Sequence, residues 1–250
     1  MVYFNVEQGN MALIRKNRKV IIVDTGSTSK NVASNVLNSF FQAKAINKID
    51  LVLLTHMHED HINGIFNVDA KIEKIGYSLP KENTEEYEEV IKFIEENNIT
   101  KLELKKGDNI TFENIDIDIL LPFNDKTINS SDIANTNCMV ILINILNDEK
   151  SKNFLFMGDS TIETENELIS SLNENCKEKL NNIFVLQLGH HGSKTSTSEK
   201  FLNNIKVKMA LISCKKKVYG HPAKETLDKL EKYNIKYHIT ENNGALIIKL

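Results

Sequence analysis

Cysteine is scarce in this sequence. Cys138, Cys176 and Cys214 are far apart and form no Cys-x-x-Cys pair. An odd, sparse set excludes a disulfide framework and fits reduced thiols, so a cytoplasmic location is expected. No apolar run approaches the roughly 18 residues that a membrane-spanning helix needs. Met1 leads straight into a strand-like pattern, with no basic segment followed by an apolar one, so no signal peptide is expected either. Neither sign of charge dominates. Lys and Arg number 31 against 34 Asp and Glu, and the net charge of −3 argues against a protein that coats nucleic acid generally, leaving room for a local basic patch. What remains is a chain of 250 residues with 41% hydrophobic and 26% charged side chains, the composition of one ordinary globular domain spanning 1–250.

Against that plain background one stretch is dense in chemistry. Thr55-His56-Met57-His58-Glu59-Asp60-His61 follows directly on the apolar run Leu51-Val52-Leu53-Leu54. Imidazole and carboxylate are ligands that borderline divalent metals such as zinc prefer. A short strand of Leu and Val ends where the loop begins, which places these side chains at a carboxyl end, where α/β sheets carry their chemistry. In a loop, His56 and His58 can face one ion while Asp60 and His61 turn toward a neighbouring one.

Other strand ends repeat the theme. Residues 2–6, 12–15 and 19–23 read as an antiparallel meander that ends in Asp24-Thr25-Gly26, where Asp24 alone suits a turn or a helix cap. Apolar spacing over 29–45 predicts an amphipathic helix, and 84–97 a second one with an acidic, solvated face. Further strands are expected at 74–78, 102–104, 109–112, 115–121, 139–146, 153–157, 183–188 and 208–213, with helices over 161–172, before Ile205, and behind Pro222. Asp159 follows the strand at 153–157 and alone suits the cap of the next helix. Gly189-His190-His191-Gly192-Ser193 closes another strand, and its paired imidazoles read as a metal ligand beside a proton handler, with His191 preferred as the ligand. His221 follows the strand at 208–213 and is expected at the same edge. Lys194 and Lys215-Lys216-Lys217 put cations there too. From Phe184 onward 12 Lys stand against 5 acids, which suits a phosphate-bearing substrate or simply a soluble face.

The His-x-His-x-Asp-His run resembles the signature of the metallo-β-lactamase-fold hydrolases. The Gly-His-His-Gly-Ser run, Tyr219-Gly220-His221-Pro222 and the opening Asn5-Val6-Glu7-Gln8-Gly9-Asn10 are similar to the corresponding domain of ComEC-like competence proteins, with Glu7 and Asn10 departing from its usual Gly and Asp. The resemblance implies an α/β fold, an αββα sandwich of two mostly antiparallel mixed sheets flanked by helices. It implies that Asp24 orients a ligand rather than binding metal, and that Asp159 bridges two ions. No histidine lies between His61 and His190, and Asn137 stands where many members carry a metal-binding histidine. The membrane channel and nucleic-acid-binding barrel of the competence proteins are not found in this sequence, so translocation of DNA is not expected of it.

The expected site is therefore His56, His58, Asp60, His61, Asp159 and His191 around two divalent ions, Zn2+ first and Mn2+ as the alternative. Asp60, His190 and His221 are the expected catalytic groups, with Asp24, Asn137, Ser193 and Lys194 behind them or facing substrate. Two such ions would sharpen a water for attack on a phosphodiester, in nucleic acid or in a small molecule. Cleavage of a carboxylic ester, lactone or thioester, and a non-catalytic metal-binding partner module, are the competing readings.

Overall fold

The computed structural model describes residues 1–80, 83–123, 125–147 and 150–250. Two seven-stranded sheets lie face to face. The first runs in the order Leu246–Ile247, Val2–Tyr3, Met11–Lys16, Lys19–Thr25, Leu51–Leu54, Lys74–Tyr77, Thr100–Glu103. The second runs Lys236–Ile239, Met209–Ile212, Ile183–Gln187, Lys150–Phe156, Val140–Asn147, Ile115–Leu121, Asn109–Phe112. A small parallel pair, Lys48–Ile49 with Lys71–Ile72, sits beside them.

This is the αββα sandwich the resemblance implies, with one refinement. Each sheet is half antiparallel and half parallel rather than mostly antiparallel. The reason lies in the connections. Hairpin-length turns join the antiparallel strands, whereas helices such as Val32–Lys44, Glu85–Glu96 and Lys224–Lys232 are crossovers, which return the chain in a parallel sense.

Burial on both faces explains why Leu51–Leu54 is wholly apolar. Leu51 and Leu53 enter the core between the sheets with Ile141, Ile143, Phe154 and Phe156. Val52 and Leu54 point the other way, toward Leu37, Phe41, Val90 and Ile94 on the outer helices. A matching outer core joins Leu142, Leu155 and Leu186 to Leu168, Phe201 and Leu230. The strand is thus locked by packing on either side, and the loop that follows starts from a fixed point.

Hydroxyl side chains cap two of the helices. Thr84 accepts from the Tyr87 amide and Ser198 from that of Phe201. The helix expected over 161–172 ends at Ser170, and a second one, Glu174–Leu180, begins behind Asn173. Seven residues hold too few turns for apolar spacing to reveal it. The opening strand is also shorter than expected, because Glu7 takes a φ of 67° and residues 5–10 leave the sheet as a loop. No helix among the described residues is long and apolar enough to cross a membrane.

Candidate metal centre

The loop after Leu54 is held from behind by Asp24. Its carboxylate accepts from the Thr55 amide (2.8 Å) and the Thr55 hydroxyl (2.9 Å), and it contacts His61 Nδ1 at 2.8 Å. Asp24 caps no helix; with φ 54° it turns off the strand Lys19–Thr25 and faces the loop. Gly26 makes that approach feasible. A Cβ there would lie 2.0 Å from the Asp60 carbonyl carbon and the His61 nitrogen. Asn10 donates its amide to the Asp60 carbonyl, and Thr55 O accepts from Met139 N, tying the loop to both sheets.

With Nδ1 taken by Asp24, His61 presents Nε2 to the second sheet, 3.1 Å from Asp159 and 3.9 Å from Asp60. His191 is oriented in the same manner: Nδ1 lies 2.8 Å from the Ser213 carbonyl oxygen, leaving Nε2 at 3.1 Å from Asp60 and 3.4 Å from Asp159. His190 and His191 both have left-handed backbone, φ 47° and 53°, a strained conformation for a residue with a Cβ. The strain aims the two rings differently. His191 is buried in the cluster, whereas His190 stands at its edge, 4.0 Å from Asp159, with Nδ1 3.3 Å from the Thr195 hydroxyl.

One ligand atom each from Asp60, His61, Asp159 and His191 lies within 4.8 Å of all the others. His61 Nε2, His191 Nε2 and Asp159 Oδ1 are buried and close together, yet none is aligned for a hydrogen bond to another. Buried polar atoms without partners are costly, and these point at a common centre rather than at one another. Two imidazoles and two carboxylates are a donor set that suits a divalent cation.

The charges tell the same story. Burial alone favours neutral His191, but Asp159 and Asp60 outweigh it and lift its pKa to about 10. His61 is likewise raised well above the usual imidazole range, against burial, by Asp159 and Asp24. Asp60 and Asp159, which burial would push up, are held well below the carboxylate range by His61 and His191. Protons on the imidazoles thus balance the carboxylates where a cation would. A raised folded pKa gives stability that is complete below the ordinary 6.5 and lost as pH climbs toward about 10. Chelator-treated protein should therefore melt at progressively lower temperature from pH 6.5 to 10. Metal affinity should rise over the same interval, because binding must displace those protons.

The remaining expected residues fall around this centre. His56 is buried, its ring centroid 4.1 Å from that of His61, and its Nε2 lies 3.1 Å from Nδ1 of the exposed His58. These two flank the compact group of four without joining it. Asn137 has a different occupation: Oδ1 accepts from Ile128 N, and Nδ2 donates to the Ile128 and Ile133 carbonyls. The amide pins the 128–137 loop, so it does not replace the missing imidazole. The His221 ring centroid is 5.7 Å from that of His190 and 6.5 Å from that of His191. Burial, then the charges of His191 and His190, lower its pKa to about 4, so His221 is neutral at pH 7.

Ser193 Oγ lies 2.9 Å from the Thr195 hydroxyl, which itself reaches His190. Lys194 lines an open groove with His190, Thr195, Thr161, Ser130 and Ser131, and the acids Asp132, Glu163 and Glu225 line it too. Lys215 is instead paired with Glu7 at 2.7 Å. Two groups of the site escape the sequence reading: the hydroxyl of Thr55, within 3.2 Å of His56 and His61, and the carbonyl of Ser213. The first stands at the head of the histidine run; the second is main chain and carries no signal of residue type.

The metallo-beta-lactamase superfamily family matches residues 4–117. ComE operon protein 3 of Bacillus subtilis (strain 168) is 28% identical over 243 residues, 90% of this chain but 29% of the relative. The chain thus spans under a third of the length of the competence proteins it matches. Among solved structures, Tm1679, a metal-dependent hydrolase of the beta-lactamase superfamily, superposes with TM-score 0.60 at 14% identity over all of both chains. A diphosphatase from the PhnP family gives TM-score 0.54 at 15% identity, covering 96% of this chain and 85% of its own. The chain has the metallo-β-lactamase fold and is similar in sequence to competence proteins of the ComE operon protein 3 kind.

Proposed function

We propose that this chain is a metal-dependent phosphodiesterase, acting on nucleic acid or on a small phosphodiester. The observation that carries this reading is the group of Asp60, His61, Asp159 and His191, four donor atoms within 4.8 Å and three of them buried without a hydrogen bond. These four would hold a divalent ion, and His56 and His58 beside them would help to hold a second. A bound ion supplies Lewis acidity toward a phosphoryl oxygen and a hydroxide source near neutral pH.

The chain's own residues do the rest. Asp24 and the Ser213 carbonyl fix the two imidazoles so that Nε2 of each faces inward. Lys194 and the hydroxyls of Thr161 and Thr195 line the groove beside His190 and would meet the phosphate of a substrate there, alongside the acids Asp132, Glu163 and Glu225. His190, at the open edge, is the group placed to pass a proton to a leaving oxygen. Neutral His221 beside it offers a hydrogen bond rather than a charge. A superposable diphosphatase is in keeping with phosphoester chemistry on this scaffold.

Purified protein restored with Zn2+ or Mn2+ should hydrolyse bis-p-nitrophenyl phosphate faster than p-nitrophenyl acetate. Lys194→Glu should raise the KM for the phosphodiester about tenfold, roughly 1.4 kcal/mol, with little effect on the acetate. Turnover of the acetate alone, indifferent to Lys194→Glu, would replace this reading with carboxylic ester hydrolysis.

A further inference from the structure

Behind the Lys194 groove lies a buried carboxylate that the metal centre does not use. Three segments meet in the groove: the start of helix Ile162–Ser170, the loop carrying His190, Lys194 and Thr195, and Glu225 in helix Lys224–Lys232. Glu165, in the first of these helices, is 1% exposed. Its carboxylate accepts from the amides of Thr197 and Ser198, the latter at 2.8 Å. Thr197 is buried and left-handed, with φ 58°, a backbone that a β-branched residue avoids. From there the hold passes back along the loop. The Ser196 hydroxyl donates to the Gly189 carbonyl (2.8 Å), and the Ser196 carbonyl accepts from Lys229 Nζ (3.0 Å). The Thr195 carbonyl accepts from Ile162 N (2.9 Å), and that of Ser193 from the Thr226 hydroxyl (3.0 Å). Both helices are thus fastened to the loop between them.

We propose that Glu165 is a positioning residue: by holding the Thr197 and Ser198 amides it sets where Lys194 and Thr195 stand in the groove, and so how tightly an anionic substrate is held. The inference rests on the phosphodiesterase reading and adds to it a residue that touches no substrate. Lys194 and Thr195 are an exposed pair between the buried Ser193 and Ser196, so whatever fixes those two also fixes the direction of the pair. A plain fastener between helix and loop does not call for a charge. An apolar side chain of similar volume fills a buried site at lower desolvation cost. Two neighbouring amides brought inward by a left-handed Thr197 do call for acceptors, and a carboxylate presents two oxygens. The strained residue and its partner together hold the loop in one arrangement, which is where substrate-facing side chains gain from being fixed.

Zn2+-loaded Glu165→Ala is assayed on bis-p-nitrophenyl phosphate at a temperature where circular dichroism shows it fully folded. KM should rise about tenfold while kcat stays within about threefold, the mark of lost substrate binding rather than lost chemistry, and bound metal should be unchanged. A merely structural role would lower the melting temperature and leave KM alone. In a Lys194→Ala background the same substitution should change KM by less than about twofold, because the two residues act as one unit. Glu165→Gln keeps the shape and one acceptor oxygen; it is read in the same way should alanine disturb folding, with a rise of about threefold. A wild-type KM in the folded variants, or an equal rise with and without Lys194, would overturn the assignment. Absence of turnover by the wild type in every metal form would instead count against the phosphodiesterase reading. The role of Glu165 is then judged from the backbone amide NMR signals of Zn2+-loaded protein: those of Lys194 and Thr195 should move in Glu165→Gln, and unmoved signals would overturn it.

Discussion

Replacing Asp159 by alanine should lower phosphodiester turnover by about a thousandfold or more while the fold survives. Removing the several kcal/mol that an ion contributes to transition-state charge corresponds to that factor. The expectation follows from where the carboxylate stands. Asp159 lies 3.1 Å from His61 and 3.4 Å from His191, on a loop from the second sheet that meets histidines from both sheets. Its Oδ1 has no hydrogen bond that would assign it a purely structural use. Without it, His61 and His191 lose their principal charge partner, so the pKa of each should fall in the metal-free protein. The change should therefore be read in three ways: turnover, bound metal and far-UV circular dichroism. Wild-type turnover in the alanine variant would contradict the mechanism, and a collapsed fold would be uninformative, which is why Asp159→Asn is measured beside it. The asparagine keeps the shape and removes the charge, so it should be folded and nearly as inactive.

The second large effect is expected at Asp24, which touches no substrate. Asp24→Ala strips partners from the Thr55 amide, the Thr55 hydroxyl and His61 Nδ1 together. All three are buried. Leaving buried donors unpaired and breaking a buried ion pair costs about 3–5 kcal/mol, to be measured by chemical denaturation. The free Nδ1 also lets the imidazole rotate, and loss of such a support lowers metal affinity by about 10- to 100-fold. Asp24→Asn should separate the two effects, keeping one acceptor for the Thr55 amide while presenting a weaker partner to His61. A stable Asp24→Ala protein with unchanged metal affinity would show that the contacts are incidental.

Most of the architecture can be read in the chain because burial imposes period. The run Leu51-Val52-Leu53-Leu54 is apolar at every position, since one sheet face meets the other sheet and the reverse meets helices. The amphipathic helices Val32–Lys44 and Glu85–Glu96 carry the 3.6-residue spacing for the same reason. Lys236–Ile239 is an edge strand too short and too exposed to show a pattern. At the centre, residue type marks the imidazoles and acids, because few structural uses gather them at strand ends. Residue type does not mark direction. That His191 turns inward and His190 outward depends on two consecutive left-handed residues and on a carbonyl at 213, neither visible in composition. The use of Asn137 is equally hidden, since its amide is spent on backbone groups of its own loop.

Metal analysis tests the central claim most directly. Wild-type protein purified without chelators, and the same protein dialysed against Zn2+ or Mn2+, should hold at least one divalent ion per chain at pH 7.5. Asp159→Ala and His191→Ala, if folded, should hold none tightly at that centre. Wild-type protein that takes up neither ion, or a folded double variant that retains full metal content, would contradict the assignment of Asp60, His61, Asp159 and His191 as the metal centre.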